Sequence, residues 1–202
     1  MEFAYFRYTF TWQPTTAFLS YVSFLWNNLF HANKLKIDAE IENQFGDLIH
    51  KARASQLTPW TEKPQSTLAL IILLDQFSRN IFRGTPDSFS SDDLALNITT
   101  EAIAKGFDRE VDQEQQLFFY MPFMHSETLL GQVAGVAHFE LLQNRCDLGS
   151  DLAKAMGMST LFARKHQHCI INFGRFPSRN KILGRESTAE EIEYLKEHPG
   201  GF

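Results

Sequence analysis

Leu68–Thr85 reads LALIILLDQFSRNIFRGT, and its second half mixes residue types that rarely share an apolar helix. Asp75, Arg79 and Arg83 recur at every fourth position, with Gln76 and Asn80 alongside, so on a helix they form one polar stripe. Charges are seldom buried without partners. A stripe of this kind at the end of an apolar helix is read as the wall of a polar pocket. Its chemistry is recognition of a carboxylate or phosphate by guanidinium forks.

A second group lies far along the chain. From Arg164 to Arg185 there are six Lys or Arg and no Asp or Glu, in a chain whose net charge is -5. Within it, Phe173–Arg185 is irregular by composition and sets Arg175, Arg179, Asn180 and Arg185 among Phe173, Phe176 and Pro177. Loops with fixed aromatics hold such side chains in defined directions. Arg175, Arg179 and Arg185 are therefore expected to close an anion site with Arg79 and Arg83. The competing expectation is a structural network, in which Asp75 and Glu127 pair with these arginines and tie helices together.

The third group is Tyr120–Glu127, YMPFMHSE, where a proline precedes His125, Ser126 and Glu127 at the start of a new helix. His125 is a candidate general acid–base with Glu127 as its partner, against the plainer role of a buried, hydrogen-bonded histidine. Ser126 reads as a helix N-cap, because neighbours in sequence seldom make a nucleophile–base contact. His166 is the third catalytic candidate, since it can reach the basic loop, whereas His168 faces another way. His125, His166 and Asp75 or Glu127 would suit a mixed metal site. No His-Glu-x-x-His, Cys-x-x-Cys or glycine-rich phosphate loop is present, and neither metal nor cofactor is expected.

The elements that must position these residues are all helical. Met1–Pro14 is an aromatic leader without helical or strand pattern. A helix begins at Thr15, with Phe18, Tyr21, Val22, Leu25, Trp26 and Leu29 at helical spacing. A second is expected from Asp38 to Ala54, burying Ile41, Phe45, Leu48 and Ile49, followed by a connector over Thr58–Gln65. The polar-striped helix ends near Gly84. The next is capped by Ser90 or Ser91, carries Leu94, Ala95, Ile98 and Ile103, and stops at Gly106. Asp112 opens another, which Pro122 should break or kink. Ser126–Gln143 places Leu129, Val133, Val136, Ala137 and Leu141 on its apolar side. Asp151–Asn172 is a long helix, and Ser187–Glu191 is a capping-box pattern for a short acidic one ending near Glu197. No alternation or hairpin signal of a strand appears. The class is all-α, antiparallel helices in a single domain over residues 15–202, and periodicity alone does not choose between bundle and solenoid.

With 202 residues, 44% hydrophobic and 21% charged, the chain can bury one substantial core, and 19 Phe make that core bulky. The acidic balance argues against a general nucleic-acid binder. Ala17–Phe30 is apolar but short and interrupted for a membrane span. Cys146 and Cys169 lie in apolar stretches without a partner motif, which suits a reducing compartment without demanding or forbidding a bridge. Cytoplasmic location is expected, with no nucleic-acid or membrane partner and no indication of oligomeric state.

Leu70–Thr85 (LIILLDQFSRNIFRGT), Phe118–Glu127 (FFYMPFMHSE), and His166 with Phe173–Thr188 (FGRFPSRNKILGREST), closing on Gly200–Phe202, occur in order and together resemble the family catalogued as domain of unknown function 924. The resemblance covers about Tyr21 to the C-terminus. It implies a tetratricopeptide-like, right-handed stack of helical hairpins with a groove, and it brings no activity. The chain departs from the family pattern at Ser178, where histidine is usual, at Ser78, where proline is usual, and near Gln116, where a basic residue is usual. A loop histidine replaced by Ser178 favours binding over acid–base chemistry.

Three alternative functions compete, of which the first is favoured. The first is binding of an anionic small molecule or peptide carboxylate by Asp75, Gln76, Arg79, Asn80, Arg83, Arg175, Arg179, Asn180 and Arg185. The second is a hydrolase or lyase using His125 or His166 as acid–base with the arginines stabilising charge. The third is a scaffold that docks a peptide in the groove of a hairpin stack.

Overall fold

The computed structural model describes residues 34–201, so the leader and the helix expected from Thr15 lie outside the described residues. All of the regular structure among the described residues is helical, with no strand. Helix α1 spans Lys34–Arg53. Helix α2 is compound: Pro64–Ile72, a π-helical turn Leu73–Phe77, then Ser78–Ile81. The remaining helices are α3 (Asp92–Ala104), α4 (Gln113–His125), α5 (Leu129–Gln143), α6 (Asp151–Phe173) and α7 (Ala189–Glu197).

Helix α2 is central because it is enclosed around its whole circumference, apolar from Leu68 to Leu74 and partly polar beyond. Every residue from Ser66 to Ser78 is buried, the pattern of a helix enclosed on all sides. It packs against α1, α3 and α4, and α4, α5 and α6 pack in turn as sequential neighbours. One cluster runs through Ile41, Ile49, Leu68, Ile72, Phe77, Phe119, Tyr120, Phe139 and Met156, joining α1, α2, α4, α5 and α6. Helix α7 packs separately, with Tyr194 against a smaller buried cluster of Cys169, Ile170 and Phe176.

Three local expectations need correction. Pro122 lies inside α4, and the helix continues to His125; the proline forfeits one backbone hydrogen bond, but residues 116–124 are buried throughout and their packing outweighs that loss. Ser126 is not the cap of α5. Thr128 is, its side chain accepting from Gly131 N, while the Ser126 hydroxyl lies 2.9 Å from that of Thr128.

The apolar side expected for α5 is also largely the wrong one. Leu129, Val133 and Leu141 are about half exposed, while Gly131, Gln132, Gly135, Phe139 and Leu142 are buried with Val136. The helix turns its small residues inward because α4 comes very close. A Cβ on Gly135 would stand 3.0 Å from Phe123 Cβ, and one on Gly131 would stand 2.7 Å from Ser126 Oγ. Gln132 fastens the junction, donating its amide hydrogens to Met124 O at 2.8 Å and Ser126 O at 2.7 Å.

Candidate functional site

The π turn of α2 carries Asp75. Such turns insert one extra residue, rotate the helix beyond them and occur often at functional sites. Here the turn brings Asp75, which is 1% exposed, to the C-terminal end of α4. Asp75 Oδ1 accepts from His125 Nδ1 at 2.7 Å, Gln76 donates to Oδ2, and Arg79 Nη1 lies 3.3 Å from Oδ1. His125 therefore pairs with Asp75 and not with Glu127, the partner expected from sequence. With Nδ1–H committed to Asp75, the remaining ring nitrogen is the basic one.

Arg79 forms a two-pronged pair with Asp92, at 2.9 Å for each N–H···O contact. Asp92 is the first residue of α3, where a carboxylate also meets the positive end of the helix dipole. Arg179 reaches the same carboxylate from the basic loop, at 3.0 Å, and donates to the backbone oxygen of His125 at 2.9 Å. Its guanidinium lies 4.5 Å from the ring centre of Phe89 and 4.6 Å from that of Phe176, contacts that hold it in place. A guanidinium offers five N–H donors, and these two bonds leave part of the Arg179 fork uncommitted.

His166 completes the group. Its ring centre is 6.2 Å from that of His125 and 5.5 Å from that of Phe176, and its Nδ1 donates to Phe162 O at 2.8 Å. Asp75, Arg79, His125, His166 and Arg179, from three separated motifs, thus converge, together with Asp92 and Phe89.

The electrostatics balance closely. Burial would raise the Asp75 carboxyl, but the charges of His125 and Arg79 and the hydrogen bonds from His125 and Gln76 outweigh it and hold it at about 2. Burial lowers His125, and Arg79 adds to this against the opposing pull of Asp75. Burial also lowers His166, to about 3, with repulsion from His125 and the two arginines in the same direction. Burial lowers Arg179 despite Asp92. At neutral pH two carboxylates face two guanidiniums, and both imidazoles are uncharged.

The other residues expected in the pocket lie in ion pairs of their own. Arg83 forms a two-pronged pair with Asp38 of α1, at 2.6 and 2.9 Å, and Asn80 donates to the same carboxylate at 2.8 Å. Arg185 grips Glu127 at 2.6 and 3.0 Å, and Glu127 accepts from Phe176 N at 2.8 Å. Arg175 pairs with Glu191 of α7 at 2.7 and 2.8 Å, and Asn180 donates to that carboxylate at 3.1 Å. Glu191 also closes the capping box with Thr188, and these contacts hold it at about 2, the Arg175 hydrogen bond foremost. Arg83, Arg175, Asn180, Arg185 and Glu127 thus brace the loop and helix ends around the centre and take no part in its innermost contacts.

Sequence reading missed the acids Asp38, Asp92 and Glu191 and the ring of Phe89. Asp92 carried one usable signal, an acidic pair just after Ser91 where a helix was expected to start. Ser178 lies beneath the C-terminal Gly201, where a Cβ would stand 2.7 Å from its hydroxyl oxygen.

The model of the family described as bacterial protein of unknown function (DUF924) matches residues 22–199. A solved structure, that of the protein of unknown function ATU0120 from Agrobacterium tumefaciens, is similar at 35% sequence identity with a TM-score of 0.73. The match covers 90% of this chain and 98% of that one. No curated protein matches.

Proposed function

Since the chain belongs to the DUF924 family of bacterial proteins, which brings no activity with it, we propose from the site itself that the protein binds an anionic small molecule or a peptide carboxylate at the centre formed by His125, Arg79 and Arg179. The observation that carries this reading is the double use of Asp92. Two guanidiniums share one carboxylate, and Arg179 keeps N–H donors beyond those used by Asp92 and the His125 carbonyl.

The centre has no surplus positive charge while both histidines are neutral, so an incoming anion is best accommodated when His125 takes up a proton. Binding therefore strengthens as pH falls from 8 to 6, whereas a site made only of arginines would not respond to pH in that range. Thermal-shift titration with sulfate, acetate and a short N-acetylated peptide, whose charges do not change between pH 6 and pH 8, tests this at those two pH values. His125→Gln keeps a donor for Asp75 and removes the titrating ring, so it should bind without pH dependence. If no anion stabilises the folded protein at either pH, the centre is structural.

The His125–Asp75 contact favours a second reading, because a buried carboxylate that orients an imidazole is the arrangement of a general base. In that reading the protein is a hydrolase or lyase acting on the bound anion, with His125 moving the proton. A rate profile that loses its acid limb in His125→Gln, with folding intact, separates catalysis from binding. A tetratricopeptide-like, right-handed stacking of the hairpins and a cytoplasmic setting belong to the same proposal. The buried, unbridged Cys146 and Cys169 support the latter.

A further inference from the structure

Helices α5 and α6 form an antiparallel hairpin whose facing sides separate on the solvent side. Glu140 and Gln143 of α5, with Asn144 just after it, stand across from Gly157, Leu161 and Arg164 of α6, around a cleft of about 420 Å³. That volume falls within the ~300–1,000 Å³ of small-molecule sites. The residues recur at three and four positions on each helix, so both sets lie on single faces. Gly157 makes the room: a Cβ there would meet Gln143 Nε2 at 3.3 Å, and a longer side chain would enter the cleft.

The chemistry of the lining is specific. Arg164 and Glu140 form an ion pair of 2.6 Å at one end, with side chains 60% and 38% exposed. The two carboxamides, Gln143 and Asn144, supply donors and acceptors at the other. A simple anion in the cleft would face Glu140, and a simple cation would face Arg164. A molecule carrying both charged groups on one carbon satisfies both, replacing one intramolecular ion pair by two intermolecular ones. We infer that the α5–α6 cleft is a second ligand site, separate from the His125 centre, for a small zwitterion of the α-amino-acid class. Its carboxylate would meet Arg164, its ammonium Glu140, and a polar side chain would lie toward Gln143 and Gly157. The cleft is open to water, so binding is weak, in the millimolar range.

The probe is L-glutamine, whose carboxamide matches the far end of the cleft, monitored by amide chemical shifts of the full chain. Gly157, Leu161 and Arg164 should shift and saturate, while acetate and ethylammonium leave them unmoved. Arg164→Gln, a change at an exposed position, should weaken the saturation constant at least tenfold. Gly157→Leu, checked for an unchanged melting temperature, should abolish it. His125→Gln should leave it intact, which separates this site from the centre proposed above. Three outcomes each overturn the inference: no saturable shift, equal shifts with acetate or ethylammonium, or undiminished binding in a folded Arg164→Gln protein.

Discussion

At the scale of single residues, the centre depends on histidines kept neutral by burial. A base whose folded pKa lies below its unfolded value adds stability above the unfolded value, and that stability is lost as pH falls toward the folded one. For His166 the window runs from about 6.5 down to about 3, and His125 shifts in the same direction. The urea midpoint should therefore begin to drop below pH 6.5. His166→Phe should flatten the upper part of that decline. Asp75 adds a second, more acidic loss, because its folded value of about 2 lies below the ordinary carboxyl value, and its contribution fades from about pH 4 downward. Arg79→Ala is expected to cost about 3–5 kcal/mol, since it leaves the buried Asp75 without its guanidinium partner and Asp92 with Arg179 alone. Equilibrium unfolding at pH 7 measures it, and a loss below about 1 kcal/mol would mean that Arg79 is not a structural partner of either acid.

At the scale of elements, α5 shows how close approach overrides apolar patterning. One face, expected inward from its sequence, is lined by Leu129, Val133, Val136, Ala137 and Leu141; the other is lined by Gly131, Gly135, Phe139 and Leu142. The second is buried because glycine lets the backbone of α5 settle against Phe123 and Met124 of α4. Gly135→Val should therefore destabilise by about 1–3 kcal/mol through overpacking. Val133→Ser, at an exposed position, should stay within about 0.5 kcal/mol. A reversed order in denaturant midpoints would show that the buried face has been misassigned. The same junction explains why Pro122 is tolerated. α4 is enclosed along its length, so the missing hydrogen bond is offset by packing that proline leaves intact.

At the scale of the whole molecule, ion pairs join segments far apart in the chain: Arg83 to Asp38, Arg179 to Asp92, Arg185 to Glu127 and Arg175 to Glu191. The basic loop is positioned by α4 and α7 together, so the His125 centre depends on the C-terminal helix without touching it. Glu191→Ala removes the acceptor for Arg175, Asn180 and the Thr188 amide in one step. It should lower the melting temperature and also weaken anion binding at His125. Binding that survives unchanged in a folded Glu191→Ala protein would show that α7 does not position the loop.

The sequence alone determined what local chemistry can specify. Helix periodicity, the Thr188–Glu191 capping box and the absence of strand signals are all encoded within a few residues, and they place the described helices to within a few residues, α1 beginning at Lys34 rather than Asp38 and α5 at Leu129 rather than Ser126. Three separated motifs marked the residues that converge, because polar groups inside apolar helices require partners. Which partner each one takes was decided only by tertiary structure. Asp75 rather than Glu127 meets His125, and Asp92 draws two arginines 13 and 87 residues away. Pairing of charges falls off over a few ångströms, so it depends on how helices come together. Nothing in the spacing of residues along the chain records that distance.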